Sequence, residues 1–98
     1  MKVLNYKRAG LPSGAVYIGR AMSRYRLPQS KWANPFKVYL DGSRAEVILK
    51  YREWLLDSPL VDDLMELAGK DLVCWCAPEP CHGDVLLEAV NQMFPGGG

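Results

Sequence analysis

No apolar run in this 98-residue sequence approaches the roughly 20 residues needed to cross a bilayer, so a membrane is not among the expected partners. The opening MKVLNYKRAG has neither a long apolar core nor a small-residue cleavage site, and no secretory leader is expected. Cysteine is scarce: three residues, all between Cys74 and Cys81. They are odd in number and too clustered for a disulfide framework, which favours a reducing, cytoplasmic setting. Histidine occurs once, as His82, directly after the last cysteine. There is no internal repeat and no linker, so residues 1–98 are expected to form one domain, with a disordered tail at about 95–98. Acidic residues are missing from positions 1–37, which carry eight Lys or Arg, while the rest of the chain holds four basic and eleven acidic residues. That asymmetry suits an anionic ligand on the N-terminal half, or two halves that neutralise each other in one fold.

What is present reads as alternating short strands and helices. Val3–Tyr6 and Ala15–Gly19 are strand-like, and Lys7–Gly14 between them is a turn or loop. Arg20–Phe36 has no clean period, two prolines and four basic residues among Tyr25, Trp32 and Phe36. A loop that long in a small domain is usually functional. Trp32 could stack on a ring or pack at the core edge, and Phe36 is expected in the core. Phe36–Leu40 is a candidate short strand ahead of an Asp41-Gly42 turn. Ser43-Arg44-Ala45-Glu46 is a capping box opening a helix to about Leu56, with Val47, Ile48, Tyr51, Trp54 and Leu55 on its apolar face. Ser58-Pro59 starts a second helix, whose buried side would be Leu60, Val61, Leu64, Met65 and Ala68, and Gly69 stops it. Leu72–Cys76 is apolar on both faces and should be a central strand. A last helix is expected over Asp84–Met93. The fold class is therefore α/β: one small domain, with a short, mostly parallel or mixed sheet flanked by helices.

The chemistry concentrates where the strand ending at Cys76 turns through Ala77-Pro78-Glu79-Pro80 into Cys81-His82-Gly83 and the last helix. Strand-to-helix turns of this kind open crevices lined by free N–H donors. Three readings fit. Cys74, Cys76, Cys81 and His82 have the ligand types of a structural zinc site, although C-x-C-x4-C-H is not a familiar spacing; zinc is the one candidate cofactor, and none is required. Alternatively Cys81, at a helix N-terminus, or Cys76, at the strand's carboxyl end, is a reactive thiolate with His82 as proton donor or anion holder. Five residues separate Cys76 from His82, a spacing similar to the C-x5-R loop of Cys phosphatases and rhodaneses, with His in place of Arg. Arg20, at the end of the strand AVYIG, could supply the missing guanidinium. In the third reading the backbone of His82, Gly83 and Asp84 holds a phosphate, with Asp84 capping the helix or binding a ribose hydroxyl or metal. Asn34 could bond a base or sugar, or only its own turn.

The segments VYIGR, ANPF, DGSRAEVILKYREWL and LVCWCAPEPCHGDVL together resemble domain-of-unknown-function family 4326, found in bacteria and phages, over Ala15 to about Asn91. The end of the chain also resembles family 488, where a strand ends in Cys and continues to Cys-His-Arg; here Gly83 stands in place of that Arg. The resemblance implies a small α/β domain with a pocket formed by the VYIGR, ANPF and CHGD segments, in a setting of nucleotide or nucleic-acid metabolism. The reading that follows is a site for a small anionic, nucleotide-like ligand, built from Arg20, Asn34, Gly83 and Asp84 with Cys76, Cys81 and His82 as the catalytic candidates. The alternative is a non-catalytic module with a structural Cys/His cluster that binds nucleic acid or a protein partner. The oligomeric state is left open.

Overall fold

The computed structural model describes residues 1–94; the expected tail at 95–98 lies outside the described residues. Among the described residues three strands form one wholly parallel sheet: β1 (Val3–Asn5), β2 (Val16–Tyr17) and β3 (Leu72–Cys74), in the order β1-β3-β2. Leu72 sits level with Val3 on one side and Val16 on the other. All three residues of β3 are buried, as its apolar character on both faces requires. The pairing runs slightly beyond the strands, with Ile18 N–H donating to Val73 O at 2.9 Å.

Both outer strands stop early for local reasons. After β1 the side chain of Asn5 accepts from Lys7 N and caps α1 (Tyr6–Ala9), a single turn where a loop was expected. The same Asn5 donates Nδ2 to Trp75 O and Ala77 O at 3.2 and 2.8 Å. Those bonds, together with Cys76 N–H turning to Cys74 Sγ at 3.4 Å, end β3 at Cys74 rather than at Cys76. Past β2, Gly19 O accepts from Ser30 N, so the backbone leaves the sheet for the long loop. A Cβ at Gly19 would lie 2.5 Å from the Tyr17 hydroxyl oxygen, so the glycine lets the Tyr17 ring lie across the backbone there.

The helix α2 (Arg44–Asp57) begins at the expected capping box, with Glu46 N donating to Ser43 Oγ and Ser43 N to Glu46 Oε1. Val47, Tyr51 and Leu55 are buried, while Ile48 and Trp54 are partly so. The second helix, Pro59–Leu67, is a 3-10 helix. Its apolar residues Val61, Leu64 and Leu67 recur every three positions, which in a 3-10 turn aligns them on one face. Leu64 and Leu67 are buried and Met65 is 66% exposed, so the expectation that Met65 packs inward is corrected by the tighter winding. Gly69 follows with φ +76°. The last helix, α3 (His82–Met93), starts two residues before Asp84.

Two further expectations change. Residues 36–40 form turns, not a strand: Lys37 O accepts from Leu40 N and Asp41 N, and Asp41 Oδ2 closes the loop on Lys37 N. Trp32 is a core residue, whereas Phe36 is only half-buried. The core joins Ile18, Leu72 and Cys74 of the sheet to Tyr51, Leu55, Leu64, Leu67, Leu86 and Val90 of the helices.

Candidate functional site

At the carboxyl end of β3 the chain places Cys74 and Cys76 on alternate positions and brings Cys81 back beneath them. Cys74 and Cys81 are buried, with their sulfurs 3.4 Å apart, and Cys76 is half-buried. Cys81 is the N-cap of α3: its Sγ accepts Gly83 N–H at 3.3 Å, and its own N–H donates to Asp84 Oδ2 at 3.0 Å. Above them lies a cavity of about 220 Å³. Trp75, Cys76 and His82 form part of its wall, Arg20 and Asn34 come from the long loop, and Arg44 comes from the first turn of α2. Met22, Phe36, Val38, Val47 and Ile48 make the apolar remainder.

The electrostatics single out Cys76. Hydrogen bonds from the Cys74 and Cys81 thiols, and then the Arg44 guanidinium, hold its thiol far below the ordinary range. Cys81 is driven the other way, first by its bonds to Cys74 and Cys76 and then by burial. Cys74 is also raised, chiefly by its bond to Cys76. Cys76, the member of the trio that is not buried, is thus the one whose thiol is lowered.

His82 is 8% exposed, and its Nε2 donates to Ile18 O at 2.7 Å. Burial lowers its pKa, with Ile18 O and Cys76 acting against that and Arg20 adding to it. A carbonyl partner fixes the proton on Nε2 in the neutral ring and leaves Nδ1 as an acceptor. The ring packs edge-on against Tyr51, centroids 5.0 Å apart, and the Tyr51 hydroxyl donates to Trp32 O at 2.7 Å.

Of the other expected residues, Arg20 and Asn34 reach the cavity. Arg20 Nη2 donates to Asn34 O and Phe36 O, both at 2.9 Å, and so fastens the ANPF segment while presenting its charge. Asn34 Oδ1 accepts from Phe36 N, closing its own turn. Gly83 and Asp84 are not among the lining residues. A Cβ on Gly83 would stand 2.9 Å from a Val3 methyl and 3.0 Å from Ile18 Cδ1, so its smallness serves helix–sheet packing. Asp84 spends its carboxylate on the cap. Arg44 is the residue that sequence reasoning missed. It sits inside the capping box, where an exposed helical arginine is the ordinary reading, yet Nη1 reaches across to Pro80 O at 3.2 Å. Neither Arg20 nor Arg44 forms a salt bridge among the described residues, where the ion pairs are Lys31 with Asp63 and Glu66, and Arg52 with Glu88. As for zinc, no group of three or more His, Cys, Asp or Glu among the described residues is arranged to hold a metal ion, and the Nε2 of His82 is engaged by Ile18.

The fold and site thus define a small parallel α/β domain with a thiol-bearing, arginine-lined cavity between a strand's carboxyl end and a helix N-terminus. The chain belongs to the family described as "Domain of unknown function (DUF4326)", whose model matches residues 3–92. It is similar to "Uncharacterized protein R718" of Acanthamoeba polyphaga mimivirus, at 40% identity over 74% of this chain and 64% of the relative. A shorter match, 48% identical over 32% of this chain and 29% of the relative, is to "Uncharacterized 12.4 kDa protein in nrdA-td intergenic region" of Enterobacteria phage T4. The chain thus spans less than two thirds of the length of either relative. No solved structure matches. No helix among the described residues is long and apolar enough to cross a membrane.

Proposed function

We propose that the cavity binds a small phosphorylated, nucleotide-like anion and presents Cys76 to it as a nucleophile. The observation that carries this reading is that two guanidinium groups without carboxylate partners among the described residues, Arg20 and Arg44, line one cavity with the half-buried Cys76. Arginine suits planar, multidentate recognition of phosphate oxygens. Arg44 also stands at the first turn of α2, where the helix dipole adds positive potential. The apolar lining of Phe36, Val38 and Ile48 suits a less polar portion of the same ligand. A cavity of about 220 Å³ takes a phosphate with a sugar-sized or base-sized part. Cys74 and Cys81 serve the thiolate as donors, and His82 serves as a neutral wall and acceptor. Three free cysteines fit a reducing, cytoplasmic compartment.

The test is the rate of alkylation by iodoacetamide against pH, with and without inorganic phosphate and nucleoside monophosphates. One thiol should react at a rate that stays flat well below the usual inflection near about 8.5, and Cys76→Ser should remove that phase. Phosphate compounds should slow it, and Arg44→Gln should weaken the protection about tenfold or more. An ordinary thiol profile with no protection by any phosphate compound sinks the reading.

A further inference from the structure

Beside the cavity, three aromatic rings form a cluster that neither the core nor the thiol chemistry uses. Tyr6 of α1, Tyr25 of the long loop and Trp75 meet with ring centroids 5.0, 5.3 and 5.5 Å apart. The loop is built to bring Tyr25 there. Met22 and Leu27 bridge antiparallel, a 3-10 turn occupies Ser23–Tyr25, and Arg26 closes it in the left-handed conformation at φ +57°. This turn leaves Tyr25 37% exposed, with the Arg24 guanidinium over its ring at 5.8 Å. Trp75 is tied to Tyr17 by its indole N–H at 2.8 Å, and Tyr17 in turn donates to Arg20 O at 2.6 Å. Trp75 and Met22 both line the cavity, so the ring cluster is continuous with it.

The charges on the two segments that carry Tyr6 and Tyr25 have one sign. Arg24 and Arg26 flank Tyr25, Lys7 and Arg8 follow Tyr6 on α1, and all four are exposed. None of the four forms a salt bridge among the described residues. Both elements come from the part of the chain that has no acidic residue, positions 1–37. A partly exposed aromatic surface beside cations without salt-bridge partners among the described residues suits a polyanion that also carries flat rings. A single-stranded nucleic acid has both: its bases stack on aromatic side chains and its phosphates pair with Lys and Arg. A duplex hides its base faces and suits the rings less.

We infer that the Tyr6–Tyr25–Trp75 surface binds a single strand of nucleic acid and delivers one of its nucleotides to the cavity. This rests on the proposed anion site and names its substrate class: a nucleotide within a strand rather than a free one. Tyr25 is then a stacking residue, Arg24 and Arg26 hold flanking phosphates, and Arg20 and Arg44 hold the phosphate of the nucleotide in the cavity.

The experiment uses the full chain and a fluorescent single-stranded DNA of mixed sequence, with the matching duplex and RNA as comparisons. Anisotropy titrations over a range of salt are run on the parent, Tyr25→Ala, Tyr25→Phe, and Arg24→Gln with Arg26→Gln. Expected are tighter binding of single strand than duplex, a loss of about tenfold for Tyr25→Ala with near-parental binding for Tyr25→Phe, and a log–log salt slope shallower by about 0.7 for each arginine neutralised. The strand should also protect Cys76 from alkylation better than a nucleoside monophosphate does. No binding at low salt, or binding indifferent to Tyr25 and to both arginines, overturns the surface. Binding with the expected variant effects but no protection of Cys76 overturns delivery to the cavity. Protection by the monophosphate alone is measured separately, so the anion site can fail or survive independently of the strand.

Discussion

His82 ties the residue just after β2 to α3 by a single bond, Nε2 to Ile18 O, inside a nearly closed space that disfavours its charged form. Its pKa is lowered on folding, so the unfolded chain takes up the proton first as pH falls through the ordinary histidine value near about 6.5. Stability held above that pH is therefore lost below it. Cys76, lowered from its own usual range, adds a slope of the same sign, so the histidine's share is read as a difference. The urea midpoint of the parent should drop more between pH 7.5 and 5.5 than that of His82→Gln, whose amide can still donate to the carbonyl; equal drops would remove His82 as the source. Tyr51 makes the second buried tie, to Trp32 O. Tyr51→Phe leaves that carbonyl unpaired and should cost about 1–3 kcal/mol in chemical denaturation, with no change in the alkylation rate of Cys76. The sequence showed the three cysteines and the histidine as one constellation but not which thiol the surroundings lower. That choice depends on the Cys74–Cys81 contact of 3.4 Å and on Arg44 arriving from another helix, and neither is written in local spacing.

At the scale of elements, the joints decide more than the propensities. The helix α3 enters against the sheet so closely that position 83 has no room for a Cβ beside Val3 and Ile18. Gly83→Ala should cost about 1–3 kcal/mol through overpacking, and the double variant with Val3→Ala should be less destabilised than the sum of the two single changes. Strict additivity in thermal or denaturant unfolding would show that the contact is not the cause. Elements with complete local signals were legible in advance: the Ser43–Glu46 capping box and the apolar face of α2 both hold. Pro59–Leu67 was legible as a helix but not as a 3-10 helix, because its apolar residues satisfy both periods until the tertiary partners of Leu64 and Leu67 are known. The turn at residues 37–41 was not legible, since it depends on the Asp41 carboxylate reaching Lys37 N.

For the molecule as a whole, one core runs through sheet and helices, and loss of any one layer exposes the others. Near-ultraviolet and far-ultraviolet circular dichroism should therefore follow one coincident urea transition; two separated transitions would mean that the long loop or α3 unfolds as its own unit. The sequence marked β3 as central from its apolar faces, but not the order of its neighbours, because strands of two or three residues carry too little pattern to specify a register. That order has a consequence for how the protein comes into being. β1 and β2 touch β3 and not each other, so the first two strands to be synthesised have no partner until residues 72–74 have been made. A nascent chain paused before that point has no sheet, and no cavity either, because Cys76 and His82 come later still. Assembly of the sheet thus waits for β3, and Cys76 and the fold that contains it emerge together.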